Sequence, residues 1–177
     1  MTVTPKYKAK FVFYDLERRI VVRKEDVLVR RGKKSLVLPD NVIRFDSQHE
    51  FKVYLELCRM YGASYVCRQR QVKIYSPGLC YPKGKNWKVD FGVISSTQYN
   101  ALNYLVEAKG AFLPEFAHTL ASFEEAQTTE AFRKLFIVFS EIPVGNRVIR
   151  ALLNSDYGHN LLTLEKLKCL QHLPLPL

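Results

Sequence analysis

Apolar and polar residues recur at two different periods along this chain, and the places where the period changes mark its elements. From Lys8 to Pro39, in "KAKFVFYDLERRIVVRKEDVLVRRGKKSLVLP", short apolar runs are broken by charged clusters. That pattern reads as short basic strands joined at charged turns, with "RRGKK" at residues 30–34 as a turn tip. The period then lengthens. In "RFDSQHEFKVYLELCRMYG" apolar residues fall at helical spacing behind Asp46 or Ser47 as N-cap, Glu50 stands at capping-box distance from Ser47, and Gly62 ends the run. Next, "SYVCRQRQVKIYS" alternates as a strand and "GLCYPKGKN" is a loop. "WKVDFGVIS" reads as a second strand, residues 97–100 as a turn, and "LNYLVEAKG" as a third strand. Residues 115–133 are expected to be helical, "KLFIVFSEI" a buried strand, and residues 145–170 one or two further helices. The order of helix, three strands, helix and strand predicts an α/β domain with a central mixed sheet flanked by helices, over residues 46–142. A basic β-rich extension, residues 1–45, precedes it, and a helical segment for packing or oligomerisation, residues 143–177, follows.

Strand alternation turns this order into a chemical question. Asp90 is expected on one face with Lys88 and Gly92, opposite Trp87, Val89, Phe91 and Val93. Glu107 and Lys109 share a face with Leu105. A hairpin turn centred between Gln98 and Tyr99 sets Asp90 directly across from Glu107. Like charges directly opposite are destabilising, so something should compensate. Mg²⁺ is held by one or two carboxylates while keeping waters and phosphate oxygens as its other ligands. Lys109 would then orient an attacking water or steady developing negative charge. The plainer alternatives are a solvated strand face for Glu107 and Lys109, a turn-proximal surface residue for Asp90, and a capping-box role for Glu50.

Charge adds a partner to this picture. The chain has 177 residues, 47% of them hydrophobic, enough for one domain with its own core. Its net charge is +10 and its pI about 9.5, which favours an acidic partner such as nucleic acid. Lys plus Arg outnumber Asp plus Glu by 12 to 6 over residues 1–46 and by 9 to 4 over 47–110, but stand at 6 to 7 over 111–177. Four cysteines without paired spacing suggest a reducing compartment. With no apolar run of about 18 residues and no secretory leader, a cytoplasmic protein of a bacterium or phage, without a membrane partner, is expected. The four histidines show no metal-ligand spacing.

Asp90, sixteen intervening residues, then Glu107-Ala108-Lys109 resembles the signature of the PD-(D/E)xK nuclease superfamily. Val89 stands where the signature has proline, and Glu50-Phe51-Lys52 on the helix is a second match to the tripeptide. The resemblance covers about 95 residues and is nearest in kind to phage or resolvase-like members and intron-encoded homing endonucleases. It implies a restriction-endonuclease-like αβββαβ core and Mg²⁺-dependent hydrolysis of DNA phosphodiesters, with Mn²⁺ able to substitute, leaving a 5′-phosphate. Asp90 and Glu107 would be the metal ligands, Glu50 a third from the preceding helix, and Lys109 the assisting cation. Gln69 and Gln71 are auxiliary candidates. Arg30, Arg31, Lys33, Lys34, Arg68, Arg70, Lys83, Lys85 and Lys88 are expected to contact DNA phosphates. The expected substrate is double-stranded DNA cut at specific sequences by a homodimer or higher homo-oligomer, because one chain carries one such site. A junction or branched-DNA resolvase of the same fold is the nearest alternative, and a nucleic-acid-binding protein without catalysis is the alternative from another class.

Overall fold

The computed structural model describes residues 10–27, 29–31, 35–75, 83–94, 102–127 and 132–173. It divides into two units, Met1–Phe51 and Lys52–Leu177.

In the first unit, β1 (Val12–Asp15) lies between β2 (Ile20–Val22) and β5 (Val42–Phe45), antiparallel to both. The β1–β2 turn is organised by Asp15. Its Oδ1 accepts hydrogen bonds from the Glu17 and Arg18 main-chain N–H groups at 3.0 and 2.9 Å, and from Asn41 at 3.3 Å. Arg19 takes a left-handed φ of 56° to close the turn. Phe13, Val27 and Val42 form the core here. A second ribbon pairs β3 (Val29–Arg31) with β4 (Ser35–Val37); of the turn tip expected at residues 30–34, Arg30 and Arg31 belong to β3 and residues 32–34 lie outside the described residues. Between β2 and β3 the charged stretch, one of the breaks expected between short strands, forms one helical turn, α1 (Lys24–Val27). Glu25 and Asp26 in that first turn suit a helix start better than a strand, since acidic side chains favour the N-terminal end of the dipole.

Helix α2 (Gln48–Tyr61) opens in the first unit and continues into the second, and Gly62 ends it with φ 86°. The second unit is an α/β structure around a five-stranded mixed sheet of order β10-β9-β8-β7-β6. Strands β6 (Val66–Tyr75), β7 (Lys85–Ile94) and β8 (Leu102–Lys109) are antiparallel neighbours, while β8, β9 (Leu135–Phe139) and β10 (Leu161–Thr163) run parallel. All five residues of β9 are buried, as a central parallel strand requires. Helix α3 (Pro114–Ala126) packs Phe116, Leu120 and Phe123 onto one sheet face with Leu105, Leu135, Ile137 and Phe139. The other face meets α2, where Tyr61 stacks near Tyr104 and Tyr54 near Phe91.

Helices α4 (Arg147–Leu153) and α5 (Leu164–Cys169) complete the unit, and the C-terminal region also supplies β10 to the sheet. Only helices were expected there. A strand of three residues, Leu161–Thr163, gives no period by which strand and helix differ. Just before it, a Cβ at Gly158 would stand 2.5 Å from the Leu153 carbonyl oxygen, so this close turn requires glycine.

Strand β7 does not keep one apolar face. Trp87 lies against Phe116 and Phe123 of α3 with Val89 in the same cluster, yet Phe91 packs against Tyr54 of α2. The expectation that Trp87, Val89, Phe91 and Val93 share a face is therefore corrected: β7 changes faces at Asp90. Opposite it in β6, Gln69 has a left-handed φ of 50°, and the paired register resumes at Arg68 and Arg70 on either side. A left-handed residue inside a strand bends it and raises the local twist, which accounts for the crossing.

Candidate active site

Two strands, β7 and β8, make the site by parting. The pairs Val93 with Tyr104, Gly92 with Leu105 and Phe91 with Val106 hold β7 to β8 in the register that a turn between Gln98 and Tyr99 demands. Residues 95–101, the turn itself, lie outside the described residues. Beyond Phe91 and Val106 the two strands take different partners. Strand β7 continues along β6, with Val89 paired to Arg70, and β8 continues along β9, with Glu107 paired to Ile137 and Lys109 to Phe139. The sheet forks at this level, and Asp90 and Glu107 stand one on each prong.

Their carboxylates bridge the gap that the main chains leave. Glu107 Oε2 accepts a hydrogen bond from the Asp90 N–H at 3.1 Å, and Asp90 Oδ2 accepts one from the Ala108 N–H at 2.9 Å. Each acid thus caps a main-chain donor of the other's strand that would otherwise have no ladder partner. Lys109 Nζ lies 2.5 Å from Glu107 Oε1, and its ammonium sits 4.4 Å from the centre of the Phe116 ring. Glu107 is 2% exposed, whereas the Lys109 side chain retains 27%, so the ion pair is reached from solvent at the lysine.

Carboxylate oxygens are the ligand type that a hard divalent cation takes, and Asp90 and Glu107 bring one carboxylate from each prong to the fork. Among the described residues no three Asp, Glu, His or Cys side chains converge as a metal-ligand group. Glu50 has a structural occupation within the first unit. Its Oε2 accepts from the Asp46 N–H at 2.9 Å while its own N–H donates to Ser47 Oγ at 3.0 Å, so both groups serve to cap the start of α2.

The basic candidates are distributed as follows. Arg70, Lys83, Lys85 and Lys88 are exposed and Arg68 is half-buried, all on or beside the β6–β7 pair. The Lys85 ammonium lies 5.9 Å from the Tyr75 ring centre. Gln69 and Gln71 are exposed on β6. Arg30 and Arg31 belong to β3, while Lys33 and Lys34 lie outside the described residues. Sequence reasoning missed Phe116, which carries no signal beyond its place in an amphipathic helix, and the Ala108 N–H, which no side-chain pattern reveals. A cavity of about 680 Å³ lined by Phe132, Arg133, Leu152, Tyr157 and His159 among others lies elsewhere in the unit, and neither fork carboxylate lines it.

Compared with protein families, characterised proteins and solved structures, the chain shows no significant match. No helix among the described residues is long and apolar enough to cross a membrane.

Proposed function

We propose that this protein is a metal-dependent DNA endonuclease with a restriction-endonuclease-like core, whose site is the fork between β7 and β8. The observation that carries the reading is the reciprocal bonding of Asp90 and Glu107 across the fork, with Lys109 on the same prong as Glu107. Asp90 and Glu107 would hold Mg²⁺ or Mn²⁺. When bound, such an ion polarises a phosphate oxygen and favours deprotonation of a nearby water. Lys109, held by Glu107 and by the Phe116 ring, keeps a positive charge where negative charge accumulates as water adds to phosphorus. The 3′ oxygen leaves and the product carries a 5′-phosphate. Basic residues of β6 and β7, with Arg30, Arg31, Lys33 and Lys34, would engage the DNA backbone, and cutting both strands would require a two-fold homodimer.

The partnering of Glu107 favours a second reading as well. With Lys109 on one oxygen and the Asp90 N–H on the other, the carboxylate is satisfied without a metal, as in a nucleic-acid-binding protein that does not cleave. Incubation of supercoiled plasmid and of branched DNA with Mg²⁺ or Mn²⁺ separates the two. The nuclease reading expects nicked and linear products from wild type and a loss of at least about 100-fold in rate for Asp90→Asn, comparable to removing one stabilising group from an active site. Wild type and variant equally inactive on every substrate, with DNA binding intact, would establish the second reading instead.

A further inference from the structure

Past the fork, the β6–β7 pair runs on as a two-stranded ribbon, and its solvent face carries a feature that phosphate binding does not require. On β6, Gln71 and Lys73 point away from Val72 and Ile74, which join the core packed on α3; on β7, Asn86 and Lys88 point away from Trp87 and Val89. All four are exposed, and the register places Gln71 opposite Lys88 and Lys73 opposite Asn86. Two amides therefore occupy one diagonal and two ammonium groups the other. The amides are joined: Asn86 Nδ2 donates to Gln71 Oε1 at 3.3 Å. That bond leaves Gln71 Nε2 as a donor and Asn86 Oδ1 as an acceptor, on two exposed side chains.

We infer that this face of the ribbon reads duplex DNA in the major groove, with the Gln71–Asn86 pair recognising an A·T base pair and Lys73 and Lys88 contacting the flanking phosphates. The inference rests on the DNA-cleaving reading above and adds to it the element that selects sequence. The major groove admits a two-stranded ribbon, and adenine presents there an acceptor at N7 beside a donor at N6, which matches the remaining donor and acceptor of the amide pair. Diagonal cross-strand neighbours are close enough to act as one unit, and their mutual bond limits the rotamers that must be fixed on binding. Lysines in the same array give affinity without sequence preference, so the amides alone carry discrimination.

The test is selection of bound duplexes from a random-sequence pool, without divalent cation, followed by titration of the enriched duplex over a range of salt. Wild type should enrich an A·T pair at one position. Gln71→Ala and Asn86→Ala should abolish that preference and weaken binding of the enriched duplex roughly 5- to 150-fold while leaving the salt dependence unchanged. Lys73→Gln and Lys88→Gln should weaken binding to all duplexes and lower the salt slope by about one each. Because the four side chains are exposed, unchanged thermal melting will show that each variant folds. Amide variants with wild-type preference overturn the inference while leaving cleavage at the fork intact. Wild type that binds no duplex at all overturns it together with the DNA reading.

Discussion

Glu107 illustrates how both oxygens of a buried acid can be partnered from within the chain. Its two oxygens have different partners, the Lys109 ammonium on Oε1 and the Asp90 N–H on Oε2, and both are needed because an unpaired buried charge costs several kcal/mol. Lys109→Met takes the ammonium away from Oε1 of that buried carboxylate. The expected destabilisation is about 1–3 kcal/mol, less than for a fully buried pair because the lysine keeps part of its hydration. Mg²⁺ should then raise the melting temperature of the variant more than that of wild type, since the cation substitutes for the lost ammonium. Denaturant unfolding with and without Mg²⁺ measures both, and a variant as stable as wild type would mean that the ion pair contributes nothing. At this scale the sequence named candidates and was silent about their partners. Spacing and alternation single out Asp90, Glu107 and Lys109, but that Asp90 bonds the Ala108 N–H depends on the strands parting, which no local pattern encodes.

At the scale of elements, α2, β6, β8 and β9 follow the periods of their apolar residues, and the β7–β8 register follows from the position of the turn. What the pattern could not convey was change along a single element. Strand β7 switches faces at Asp90 because its partner β6 bends at Gln69, and a left-handed glutamine has no sequence signature. Strand β10 escaped because it is too short to show a period, and it is held in place by side chains preceding it. Asn160 Nδ2 donates to the Arg133 and Leu135 carbonyls at 2.7 and 2.8 Å, and the Tyr157 hydroxyl donates to the Leu135 carbonyl at 2.6 Å. Burial pushes the Tyr157 hydroxyl pKa well above its usual range. The folded state therefore keeps this proton while the unfolded chain loses it above about pH 10, so stability present at lower pH falls as pH rises through that window. Tyr61 and Tyr104, raised chiefly by burial, add to the same trend. Tyr157→Phe should cost about 1 kcal/mol at neutral pH through the lost hydrogen bond, and show a shallower decline at alkaline pH. Identical alkaline slopes for variant and wild type would contradict this account of how β10 is anchored.

For the whole molecule, the positive charge is concentrated before residue 111, in the region that supplies the first unit and the β6–β7 ribbon, while the remainder is close to neutral. Such an uneven distribution suits a polyanionic partner, as the proposed function requires, better than general solubilisation. The fold assigns the nearly neutral remainder to α3, β9, β10 and the C-terminal helices, which build the core beneath the fork. The proposed function depends on the fork holding a cation. The most direct measurement is calorimetric titration of Mn²⁺ into wild type and Asp90→Asn at equal concentration. One site per chain in wild type and none in the variant is the expected result; the same isotherm for both proteins would show that the fork carboxylates hold no metal.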